Sequence, residues 1–189
     1  MPQDQHSVSD RLPLGFADLT VLPGNHIAHF YQTKEEWKDL LISYHKAGLE
    51  AGDKCVYLMK PGRRAEWQEA LEAAGADVAG ALASGQILVV EDKDEAKERK
   101  EALGAVLTDL GGNDTVLRSG GDVNWTETHW EWEAHITTVE GPKTVFLCQY
   151  DITAFGGDVI MDALRTHPVC IVGNSVIGNP FYEDPNTLR

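Results

Sequence analysis

Apolar residues along this chain switch repeatedly between a helical and a strand rhythm. After Thr33, the residues Trp37, Leu40, Leu41 and Tyr44 recur at the spacing that lines one face of a helix. Thr33 supplies a capping hydroxyl, Glu36 completes a capping box, and Gly52 stands where a helix would stop. The run Cys55-Val56-Tyr57-Leu58-Met59 follows without alternation, as in a strand covered on both faces. Further helices are expected over 63–74, stopped by Gly75, and over 95–110, ended by Gly111 and Gly112. Strands are read at 86–91 and 115–118, a helix at 127–139, and the strongest strand of all at 144–151, TVFLCQYD. A short helix at 159–165 leads into a strand at 169–172, and Gly173-Asn174 marks a hairpin turn before 175–177. Strand and helix repeated in this way imply right-handed crossovers. The fold class is therefore α/β, three-layered, with a mainly parallel central sheet and helices on both faces.

Composition adds bounds to that picture. With 189 residues, 42% hydrophobic and 24% charged, the chain suits one globular domain over 14–189, preceded by a polar, loosely ordered segment over 1–13. A formal net charge of −14 repels phosphate backbones and anionic membrane surfaces, so neither direct nucleic-acid binding nor membrane docking is expected. Cys55, Cys148 and Cys170 sit in or beside apolar runs and read as reduced thiols. With no apolar signal core at the start, the expected compartment is the cytoplasm.

Candidate chemistry begins with what is missing. The loop expected before the first helix, Gly24 to Glu36, contains no GxxxxGK[ST], and no GxGxxG occurs, so the usual phosphate-binding machinery is absent. The pairs Gly120-Gly121 and Gly156-Gly157 are isolated and are read as turns. His26 and His29 form an HxxH pair able to ligate a transition metal. Without a CxxC or HExxH the bland reading is favoured, in which one histidine packs and the other bonds backbone. Cys148, Asp151 and His167 can be written as nucleophile, acid and base, yet an apolar strand argues for an inert thiol. Between Gly121 and His135, Trp125 is weighed evenly between pocket and core, and Trp132 is assigned to core. Gln149-Tyr150-Asp151 ends the strongest strand, and open α/β sheets bind ligands beyond such carboxyl ends. The same rule puts His167, just before a strand, at the opposite edge, which counts against a shared site.

Several segments taken in order resemble the MEDS domain, a sensory module of methanogens and methylotrophs. The pieces are GNHIAHFYQTKEEW and its continuation to Met59, then GQILVVE, LRSGGDVNW with EWEA, and LCQYD with DALRTHP. The resemblance spans about 24–167. It implies a RecA-like or KaiC-like core without a phosphate loop. It also implies sensing of small hydrocarbon derivatives, with the signal passed to a DNA-binding, kinase or anti-sigma partner. His26, Phe30 and Tyr31 match the opening motif, Asp122 and Trp125 the middle one, Glu133 the acidic helix position, and Cys148 and Tyr150 the late strand. Ala28 stands where many members carry a cysteine, which puts thiol sensing at that spot in doubt.

The expectation for function is a non-enzymatic binding module for a small-molecule ligand, acting on a regulatory partner protein or on a second copy of itself. The ligand-binding set is His26, His29, Tyr31, Trp125, Glu133, Cys148, Tyr150, Asp151 and His167. No catalytic residue, metal ligand or cofactor is assigned. The runner-up is an enzyme or cofactor protein using a metal on His26, His29 and Cys148, or a reactive Cys148 thiolate. A RecA-like adaptor that binds nothing small is the third reading.

Overall fold

The computed structural model describes residues 11–91, 96–110, 115–124, 132–133, 135–136 and 143–184. Its frame is a seven-stranded sheet of order β5-β4-β6-β7-β3-β8-β9. The strands are β3 (His26–Tyr31), β4 (Lys54–Met59), β5 (Ile87–Glu91), β6 (Leu117–Asp122), β7 (Thr144–Asp151), β8 (Val169–Val172) and β9 (Ser175–Gly178). Only the β8–β9 hairpin is antiparallel; every other neighbouring pair is parallel. The α/β reading and its closing hairpin thus hold. A small antiparallel pair, β1 (Leu12–Pro13) and β2 (Thr20–Val21), stands apart. Leu12 and Pro13, expected in a loose leading segment, are held in place, because the Arg118 guanidinium donates to the Pro13 carbonyl at 2.7 Å.

Helices cover both faces. The first, α1 (Lys34–Ala51), begins with the full Thr33/Glu36 capping box and ends on Gly52 in the left-handed region. With α2 (Arg64–Ala73) and α3 (Val78–Ala83) it packs against odd-numbered positions of β4, so that Trp37, Leu41, Tyr57, Met59, Trp67 and Ile87 form one core. On the opposite face α4 (Ala96–Leu110) and the helical residues Trp132 and Ile136 join Val56, Leu117 and Phe146. Trp132 is core, as expected. Beside it, α5 (Gly157–Thr166) lays Val159 and Ala163 against Cys148, Tyr150 and Cys170.

Two details depart from the reading of the sequence. Gly120 and Gly121, expected in a turn, lie inside β6, where a Cβ at Gly120 would stand 2.9 Å from Leu41 and one at Gly121 3.0 Å from Leu58. These glycines let neighbours press on the sheet rather than let the chain reverse. His26–Tyr31, expected within a loop, is instead the strand β3, so the link to α1 consists of Gln32 and Thr33 alone and leaves no room for a phosphate-cradling loop.

Candidate functional site

Strand alternation divides the polar residues of the central strands between two sheet faces. His26 begins β3, and Ala28 follows on the same face as the register partner of Cys148. His29 and Tyr31 point the other way. The HxxH pair is therefore split by the pleat, and the His26, His29 and Cys148 set proposed for a metal or enzyme does not come together.

On the α5 face four donors from separate segments converge. The His26 Nε2 atom lies 3.0 Å from Glu133 Oε2 and 3.3 Å from Cys148 Sγ. His167 Nε2 is 3.4 Å from the same Glu133 oxygen, and Cys148 Sγ is 3.8 Å from it. The two imidazoles stack with centroids 3.8 Å apart. One ligand atom from each of His26, Glu133, Cys148 and His167 falls within 4.8 Å of all the others. All four residues are buried, Glu133 and His167 completely.

A surrounding layer holds this arrangement. The Tyr150 hydroxyl donates to Glu133 Oε1 at 3.1 Å, so the other carboxylate oxygen faces the histidines. Burial first, and then the Glu133 charge, push the Tyr150 phenol well above its ordinary pKa, which keeps it a proton donor. His167 Nδ1 lies 2.7 Å from the Ala163 carbonyl at the end of α5. A carbonyl only accepts, so Nδ1 carries the proton and Nε2 presents its lone pair to the cluster. A small cavity of about 20 Å³, room for about one water molecule, lies along Ser119, Gly121, Trp132 and Ile136 and reaches Glu133 and Cys148.

The α1 face carries a different polar group. Asp122 accepts from Trp37 Nε1 at 2.6 Å through one oxygen and from the Tyr57 hydroxyl at 2.7 Å through the other. The Gln149 amide donates to His29 Nδ1 at 3.1 Å and to the Trp37 carbonyl at 3.0 Å. Burial lowers the His29 pKa to about 4 against a partial opposing effect of Glu36, which matches an imidazole that accepts at Nδ1. Tyr31 sits with His29, its ring 5.7 Å away. Farther along this face Arg118 donates to Asp53 at 2.6 Å, in a buried pair roofed by Gly48, where any Cβ would meet the Arg118 side chain at 2.6 Å.

The expected ligand set is thus sorted by the fold. His26, Glu133, Cys148, Tyr150 and His167 meet; His29 and Tyr31 belong to the other face. Asp151 binds locally, accepting from the Thr153 amide and hydroxyl at 3.0 and 2.6 Å. Trp125 lies outside the described residues. The cluster does not lie beyond the carboxyl ends of the strands, where a ligand is expected from the sequence. His26 and His167 stand at the amino ends of the adjacent parallel strands β3 and β8, and the cluster lies on the sheet face between helix and strand. That is why His167 shares the site although its strand is not reversed. Asp122, Trp37, Tyr57 and the Arg118–Asp53 pair were not read as an assembly; Asp122 stood out only as a match to the family's middle motif, and Arg118 only as a charge at the end of a strand pattern.

Comparison with known proteins agrees with this architecture. The fold is similar to the crystal structure of flagellar accessory protein FlaH from Methanocaldococcus jannaschii, with TM-score 0.62 and 12% identity, covering 88% of this chain and 84% of that one. The core is RecA-like. In sequence the chain is similar to the transcriptional repressor DcmR of Methylorubrum extorquens (strain DSM 6343 / CIP 106787 / DM4), 27% identical over 173 residues. That match takes in 85% of this chain and 64% of the repressor, so the chain spans less than two thirds of its relative's length. Residues 25–168 match the family described as MEDS, MEthanogen/methylotroph, DcmR Sensory domain, and the chain belongs to that family.

Proposed function

We propose that the chain is a ligand-responsive regulatory module without catalytic activity of its own, and that the cluster around Glu133 is where it reads its ligand. Membership of a sensory family supports the regulatory half of this reading. The observation that carries the other half is the joint burial of His26, Glu133, Cys148, Tyr150 and His167, of which Glu133 and Cys148 line a small cavity. Buried polar groups cost stability unless each is matched, so a fold that gathers five of them around one carboxylate favours a binding role. The resemblance to a repressor supports an output through a transcriptional partner, and occupancy would act by favouring the conformer that partner recognises. Among the described residues no helix is long and apolar enough to cross a membrane.

The test is ligand-induced stabilisation against a panel of one- and two-carbon alcohols, amines and halides. A ligand at a hundred times its Kd should add about 2.7 kcal/mol to the unfolding free energy. Glu133→Gln and Tyr150→Phe should abolish the response, while Tyr57→Phe on the other face should keep it. A response that survives Glu133→Gln unchanged would refute the assignment of this cluster as the reader.

A further inference from the structure

We propose that His26, Glu133, Cys148 and His167 form a binding site for one divalent transition metal of the zinc class. The inference uses the residues of the proposed reading site but stands apart from the sensing function, since an ion held there could be purely structural.

Geometry is the first support. Ligand atoms about 2.0 to 2.3 Å from a tetrahedral zinc lie about 3.3 to 3.8 Å from one another. The four separations involving His26 Nε2, Glu133 Oε2, Cys148 Sγ and His167 Nε2 given above run from 3.0 to 3.8 Å. Hydrogen bonding alone explains the arrangement poorly. His26 N–H and Cys148 S–H can both donate to the same Glu133 oxygen, but the third neighbour, His167 Nε2, brings a lone pair to within 3.4 Å of it. Two lone pairs facing each other in the interior are what a shared cation would relieve. The atoms point at a common centre rather than along a chain.

Charge and chemistry are the second support. Two imidazoles, a thiolate and a carboxylate form a donor set suited to zinc or cobalt. On binding, the ion forms a bond to Cys148 Sγ and the thiol proton leaves to solvent. The carboxylate and thiolate then balance the two positive charges, so the loaded site is neutral, as its burial requires.

The supporting layer is the third. A metal-bound histidine typically donates its other ring N–H to a carbonyl or carboxylate, as His167 does to Ala163. Tyr150 fixes the carboxylate from behind. The cavity reaching Glu133 and Cys148 supplies an entry path. Cys55 and Cys170, by contrast, join no such ligand group among the described residues, and burial pushes their pKa values to about 12 and about 11.

The experiment is titration of the metal-free full chain with cobalt chloride, read by absorption, with zinc chloride as competitor. The expected result is one cobalt per chain, with the d–d bands of a tetrahedral site and a thiolate-to-cobalt charge-transfer band. Cys148→Ser should remove the charge-transfer band. Tyr150→Phe should weaken binding about 10- to 100-fold, and His29→Gln should leave it unchanged. A wild-type chain that takes up no stoichiometric cobalt, or a Cys148→Ser spectrum that keeps the thiolate band, overturns the proposal. Should Cys148→Ser fail to fold, maleimide labelling of the wild type decides. Zinc should protect Cys148 and leave the labelling of Cys55 and Cys170 as it was, and equal labelling with and without zinc overturns the site. Metal binding without response to the organic panel leaves this site standing and removes the sensing role; response without metal does the reverse.

Discussion

The two faces of the sheet handle buried charge in opposite ways. On the α1 face each acid meets its own donors: Asp122 has Trp37 on one oxygen and Tyr57 on the other, and Asp53 has Arg118. On the α5 face three potential donors or ligands crowd one oxygen of Glu133. Matched pairs anchor helices to strands and satisfy the acids, although Arg118 Nη2, Gln149 Oε1 and His45 Nε2 on the α1 face have no hydrogen-bond partner among the described residues. A convergent set has capacity that the chain itself does not use well, and such capacity is what a binding site needs. Burial alone does not separate the two, because both groups are excluded from water; the pattern of pairing does.

Substitutions should separate the faces by what they damage. The largest effect is expected from Arg118→Ala, which strands Asp53 in the interior and should cost about 3 to 5 kcal/mol in urea denaturation. Next comes Tyr57→Phe. It removes one hydrogen bond to a buried carboxylate and should cost about 1.5 to 3 kcal/mol, with cobalt affinity untouched. Glu133→Gln should do the reverse. In metal-free protein it is expected to cost about 1 kcal/mol or less, since it removes a charge rather than orphaning one, while eliminating metal uptake. Equal losses of stability from Tyr57→Phe and Glu133→Gln would erase the contrast between the faces.

The smallest effect is a pH slope. His29 and His45 are held neutral, with pKa values lowered from 6.5 to about 4 and about 3. Burial is the main cause for both; Glu36 opposes it at His29, while at His45 the Val56 backbone opposes it and Arg118 adds to it. The unfolded chain takes up these protons first as pH falls. The stability they contribute is thus complete above pH 6.5 and declines as pH drops toward 4, at up to about 1.4 kcal/mol per pH unit for each histidine. His29→Gln should flatten that slope, as measured by urea midpoints across the window, and should not alter cobalt binding.

Much of the fold was legible because local chemistry and global packing agree. Thr33, Glu36 and Gly52 define α1 by hydrogen bonds made within a few residues, and CVYLM and TVFLCQYD identify strands buried on both sides. The candidate site was legible as a set of residue types, with His26, Glu133, Cys148, Tyr150 and His167 all singled out in advance. It was not legible as a place. The sequence pairs His26 with His29 by proximity, yet a strand sends alternate side chains to opposite faces, so two residues three apart are separated by the sheet itself. Only the tertiary structure stacks β8 beside β3 and brings His167 and Glu133 over His26. Those contacts join positions more than a hundred residues apart, through strand order and crossover packing that no local spacing encodes. The sequence alone therefore determined most of the helices and buried strands, though not β3 or α3, together with the absence of a phosphate loop and the family resemblance. The tertiary structure decided which buried acids were matched by their neighbours and which one gathered a set of ligands.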